Sequence, residues 1–249
     1  LLRPARRLWA SRLPDCRLIT VEGAVLGWAR RDDVPGSLIP ALYFEYLRRR
    51  HPGALPRVFD HNRQDILSLV VLTGWVARAF NEPERLSLSA EEYVGLGRLW
   101  EPWNRERAYQ CYRAALELGL SSPERETLLL RLAALAKRGA QWEDACALWE
   151  TAIAGMRRFD IRPWEELAKY YEHRGRDFST AQQIVTEALG RAEGDGVPPA
   201  VLDSLSHRLV RLTRRLSQAA SSRRLPRTSF NRPLIVSMPG LGRQSSGRR

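Results

Sequence analysis

A phrase recurs in the middle of this chain at a spacing that reads as a stack of helical pairs. AYQCYRAAL begins at Ala108, ACALWETAI at Ala145 and AQQIVTEAL at Ala181, so the steps are 37 and 36 residues. Each phrase follows a matching first helix: LGRLW from Leu96, LAALA from Leu132 and WEELAKYY from Trp164. Each repeat is one supersecondary unit, which buries its apolar face only by stacking on its neighbours. Small residues at the start and end of the second helix let the two helices approach, and aromatics fill the gap to the next unit.

The pattern resembles the tetratricopeptide repeat (TPR). Trp164, Leu167, Ala168 and Tyr171 make the best copy of its first helix. Ala108, Tyr112 and Ala115, then Ala145, Trp149 and Ala152, fall at the steps of its second helix. Three units are about the minimum for a stable stack. A closing helix is expected from Pro198 to Leu216, with Leu205, Leu209, Leu212 and Leu216 as its inner stripe and Arg208, Arg211, Arg214 and Arg215 off it. The resemblance implies a concave surface for a protein or peptide partner. Trp100, Trp103, Trp142, Trp149 and Trp164 read as core packing; Trp103, in the turn WEPWNRE, fits that reading least well.

Charge divides the chain in the same way. The net +12 splits into +6 over residues 1–80, −5 over 81–203 and +11 over 204–249, where 11 arginines face no acid. Residues 218–249, rich in Ser, Arg, Pro and Gly, have too little apolar periodicity to offset chain entropy and are expected to be disordered. Such a tail is either a solvated end or a loose, salt-sensitive arm for nucleic acid. Only Lys137 and Lys169 are lysines, and a uniform arginine bias need not mean phosphate recognition. No run of 18 apolar residues occurs, so no membrane span is expected, and the chain reads as cytoplasmic. Cys16, Cys111 and Cys146 show no metal-site spacing; Cys111 and Cys146 are expected to be buried free thiols.

Residues 1–80 carry many Pro and Gly and several short apolar runs, with no convincing set of alternating strands. Helices are expected over 18–26, from 37 or 39 to 50 with Leu42, Tyr43, Tyr46 and Leu47 inward, and from 56 or 60 to 80 with Ile66, Leu69, Val70 and Thr73 inward. In the last of these, VFDHNRQDILSL places His61 and Asp65 four apart, on one face of one helix.

DDVPGSLIPALYFEYLRRR followed by VFDHNRQDILSLVVL resembles the C-terminal part of the YprB-type ribonuclease H-like exonuclease domain, within the DEDD superfamily, a family often followed by TPR repeats. The resemblance implies a metal-dependent 3′–5′ exonuclease acting on nucleic acid, with Mg2+ or Mn2+ held by four carboxylates. It makes Asp65 the fourth carboxylate and metal ligand, His61 the catalytic base, and Asn62 and Arg63 neighbours of the nucleic acid, Arg63 meeting a phosphate. This sequence departs from the pattern at one essential place: no D-x-E motif on an apolar strand precedes Asp65. Asp15, Glu22, Asp32, Asp33, Glu45 and Asp60 lie outside strand-like runs, and Asp32 and Asp33 read as turn or cap residues before VPG.

The expected fold is therefore mainly α. Residues 1–80 form the truncated C-terminal helical part of a ribonuclease H-like α/β domain, 87–217 a TPR-like α-solenoid with a capping helix, and 218–249 a tail. The chain reads as a fragment or degenerate member of the nuclease family, inactive as given because one aspartate cannot hold two divalent ions. The alternative is a non-enzymatic scaffold that binds a protein or peptide on the repeats. In either case an exposed apolar face is expected around Ile66, Leu69 and Val70, because the missing sheet would normally cover it.

Overall fold

Short polar signals start the repeat helices. Ser89 accepts a hydrogen bond from Glu92 N–H while Glu92 accepts from Ser89 N–H, a reciprocal cap on α5 (Ala90–Trp100). Asn104 caps α6 (Arg105–Leu118), Asp160 caps α9 (Ile161–Tyr170) and Asp177 caps α10 (Phe178–Asp195). Pro123 lies in the first turn of α7 (Ser122–Arg138), where its missing N–H costs nothing. With α8 (Trp142–Gly155) these helices make three successive hairpins, each packed on the next, and α11 (Pro199–Arg224) packs on α10.

The computed structural model describes residues 1–224. Upstream of the hairpins lie α1 (Leu2–Trp9), α2 (Leu18–Val21), α3 (Ile39–Arg49) and α4 (Leu55–Asn81). A π-helical turn, Glu22–Leu26, follows α2, and a second, Tyr171–Gly175, follows α9. No strand occurs among the described residues.

The repeat's small residues sit where the helices cross: Ala108, Ala145 and Ala181 are fully buried. Gly97 serves the same purpose in α5, since a Cβ there would lie 2.2 Å from the ring of buried Tyr112. Trp149 and Trp164 are core residues, as expected, whereas Trp103 is 85% exposed. Cys111 and Cys146 are buried free thiols, and burial pushes each up to about 11. The inner stripe of α11 is borne out by Leu205 and Leu212. That helix continues to Arg224 instead of ending near Leu216; the expected disorder of 225–249 lies outside the described residues.

The core does not stop at the boundary near residue 80. Leu8 and Trp9 of α1, a helix the sequence pattern did not reveal, join Val21, Leu72, Val76 and Ala79 with Leu88, Leu96 and Cys111 in one cluster. α1 comes so close to α5 that a Cβ on Gly95 would lie 2.3 Å from the Arg7 carbonyl oxygen. Trp9 Nε1–H donates to buried Glu92 at 2.8 Å, so the indole is satisfied as well as buried.

Two inward faces expected from sequence are corrected. α3 has no buried residue, and Tyr43 and Leu47 are exposed. α4 turns Val58, Ser68, Leu72, Val76 and Ala79 inward, while Ile66, Leu69, Val70 and Thr73 face solvent. Both faces of α4 carry apolar residues, so periodicity could not choose between them. The stripe that meets α1 and α5 became the core. The other forms the exposed apolar face, and Phe59 of the same helix is exposed as well.

Candidate functional site

α4 aims His61 and Asp65 at one point, one helical turn apart. His61 Nε2 lies 3.5 Å from Asp65 Oδ2. The spacing therefore does what four residues on a helix should do. The other predicted residues do not converge with them: Asn62 and Arg63 are exposed, and Arg63 pairs with Asp60 at 3.6 Å, on α4 itself.

Three residues from the segment before α3 complete the cluster. Arg30, whose side chain is only 3% exposed, is its centre. Its Nε and one Nη donate to Glu22 at 2.7 and 2.5 Å, its other Nη donates to Asp33 at 3.1 Å, and the Glu22-facing Nη also donates to Asp65 at 2.6 Å. Glu22 is fully buried within the π-helical turn after α2. Burial pushes its carboxyl up, but the bonds from Arg30 and Ser68 prevail, and it titrates below the usual range. Asp33 also titrates low: burial pushes it up, and the bonds from His61 and Arg30 outweigh that. The Glu22 carboxylate raises Arg30, which stays charged throughout.

Asp33 accepts from Val34 N–H at 2.8 Å, beside Asp32 at φ 52°, which is the turn role expected of this pair. It has a second role that the sequence reading missed. Its Oδ1 lies 2.7 Å from His61 Nδ1. An ionised carboxylate only accepts, so the Asp33 contact selects the tautomer with the proton on Nδ1, the one in which Nε2 is the acceptor. An orienting carboxylate behind a histidine is a common way to present a general base.

The signal for Glu22 was available: a single acid inside the apolar run LITVEGAVL needs a buried partner. Arg30, 35 residues from Asp65, had no local signature.

No three His, Cys, Asp or Glu among the described residues are grouped to hold a metal ion. The chemistry of the cluster agrees. A guanidinium fixed against Asp65 Oδ1 already neutralises the expected ligand and would repel a divalent ion. These residues alone do not fit the Mg2+ or Mn2+ pair that the sequence resemblance implied.

Two matches to known proteins bear on this cluster. Residues 1–77 match the RNase H superfamily. The match takes in Glu22, Arg30, Asp33, His61 and Asp65 and ends inside α4. The chain is also 29% identical over 218 residues to the uncharacterized protein YprB of Bacillus subtilis (strain 168), covering 87% of this chain and 52% of that one. The chain thus spans about half the length of this curated relative, and the likeness runs through the helical hairpins as well as the N-terminal part. Together they support a nuclease-like family for the N-terminal part. Among the described residues, no helix is long and apolar enough to cross a membrane.

Proposed function

We propose that residues 1–77 are the C-terminal helical part of a ribonuclease H-like nuclease domain that cuts nucleic acid phosphodiesters, with Asp65 contributing one carboxylate of its centre and His61 the proton-transfer group. The observation that carries this reading is the Asp33–His61–Asp65 array on a segment matched to the RNase H superfamily. Asp33 holds the imidazole, Nε2 accepts a proton, and Asp65 lies next to the accepting nitrogen. The metal-dependent 3′–5′ exonuclease activity of the resembled family needs further carboxylates, and the described residues do not group them around Asp65. Asp65 must also be released from Arg30, or shared with it, before it can serve such a centre. Asn62 and Arg63, exposed on α4, are the proposed contacts to the strand being cut.

The test is cleavage of single-stranded and 3′-overhang substrates in Mn2+ or Mg2+. The longest reading frame that contains these residues is compared with its Asp65→Ala and His61→Ala variants. Cleavage by the long form, lost in Asp65→Ala and strongly slowed in His61→Ala, is expected; the 249-residue chain by itself is expected to be inert. Cleavage that survives Asp65→Ala would overturn the assignment.

For residues 87–217 we propose a TPR-like stack that recruits a partner or positions the nuclease part. Ala108, Ala145 and Ala181, buried at the same step of three successive second helices, favour it.

A further inference from the structure

The hairpins carry a second charged centre, far along the chain from the first. Glu172, in the π-helical turn after α9, is 2% exposed. Three guanidiniums from α11 converge on its carboxylate: Arg211 at 2.8 Å, Arg208 at 3.3 Å and Arg215 at 3.8 Å. Positions 208, 211 and 215 share one face of α11, and Arg215 also lies 5.5 Å over the Phe178 ring. One carboxylate cannot neutralise three guanidiniums. Arg211 and Arg215 are about half exposed, and with Arg208 they line a groove of about 490 Å³ between α7, α8, α9 and α11.

Lys137, Lys169 and Arg174 line the same groove. Six cations line the groove against Glu166 and Glu172; counting Glu165, which pairs with Lys169, three positive charges remain in excess. Aromatic rings complete it: Arg174 sits 4.3 Å over Trp142, which stacks with Tyr170 at 5.9 Å and 22°. Among the described residues, no aliphatic side chain lines the groove.

We propose that this groove binds single-stranded nucleic acid, with Arg211, Arg215 and Lys169 on phosphates and the Arg174–Trp142 pair as a platform for a base. The wall chemistry decides between a strand and an acidic peptide. A docked peptide gains affinity by seating apolar side chains in pockets, and this groove offers charged groups and flat rings instead. Guanidinium planes and aromatic rings stack bases, while arginines take phosphates in pairs of hydrogen bonds. The proposal does not rest on the nuclease assignment, because it needs neither His61 nor Asp65.

The experiment is fluorescence anisotropy on the full 249-residue chain in EDTA, so that no cleavage enters, with labelled dT20 in one arm and a labelled ten-residue polyglutamate peptide in the other, from 50 to 200 mM salt. Arg211→Gln/Arg215→Gln is expected to weaken dT20 binding at least tenfold at 50 mM salt. It should also flatten the slope of log K against log salt by about 1.4, at about 0.7 for each phosphate that no longer meets an arginine. Arg174→Gln, whose side chain does not bond Glu172, is expected to weaken it several-fold with the fold untouched, as a thermal melt would show. The control pair Arg113→Gln/Arg214→Gln, exposed and outside the groove, should cost less than threefold. Equal losses from both pairs would assign binding to diffuse charge and overturn the proposal. So would dT20 binding indifferent to all three changes, or polyglutamate that binds more tightly than dT20 and loses its site in the groove variants.

Discussion

Replacing Arg30 by Met tests the physics of the N-terminal cluster most directly. The methionine fills much of the volume but removes four hydrogen bonds to Glu22, Asp33 and Asp65. Glu22 is then a carboxylate with no solvent access and no cation. Removing one partner of a buried pair costs about 3–5 kcal/mol, because the other charge is stranded. Asp65 is about one-third exposed and can rehydrate, so nearly all of the loss is assigned to Glu22. The double variant Arg30→Met/Glu22→Gln removes the stranded charge and should recover at least about 2 kcal/mol of it, within the range seen for directly coupled residues. Urea unfolding by circular dichroism gives the energies. Hydrogen exchange gives the place: faster exchange over residues 18–34 and 58–72, with α7–α10 unchanged. A single-variant loss below about 1 kcal/mol, or a double variant no better than the single, would refute the view that Arg30 holds this region together through Glu22.

Glu22 and Asp33 both titrate below their unfolded values, so their contribution is present above about pH 4.3 and 3.9 and is lost as pH falls through the lower folded values. The melting temperature should be flat from pH 7 to 5 and fall below about pH 4, with a smaller fall in Glu22→Gln; an unchanged acid limb in that variant would contradict the assignment. Gly95→Ala should destabilise by about 1–3 kcal/mol because its Cβ meets the Arg7 carbonyl. Gly74→Ala, with open space at the same atom, should stabilise α4 by about 0.5–1 kcal/mol, and a matching sign for the two in thermal melts would rule out the close-contact explanation. Ile66→Lys/Val70→Lys, on the exposed apolar face, should change stability by less than about 1 kcal/mol in all and lower binding of an apolar dye. A large loss of stability would mean that this face is buried.

The sequence by itself settled much of the helical architecture. Alanines at steps of 37 and 36 residues, with Ser, Asn and Asp caps before the helices, write each hairpin locally, because capping and helix crossing depend on residues a few positions apart. The His61–Asp65 pair was legible for the same reason: a four-residue spacing fixes one helix face whatever surrounds it. Tertiary structure alone decided what that pair meets. Arg30 and Asp33 reach it from 35 and 28 residues away, and no periodicity encodes that closure. It also decided which stripe of α4 is core, since both are apolar and only the docking of α1 on α5 chose Leu72 and Val76 over Ile66 and Val70. Burial belongs to the pair of surfaces in contact, and a single helix sequence specifies only one of them.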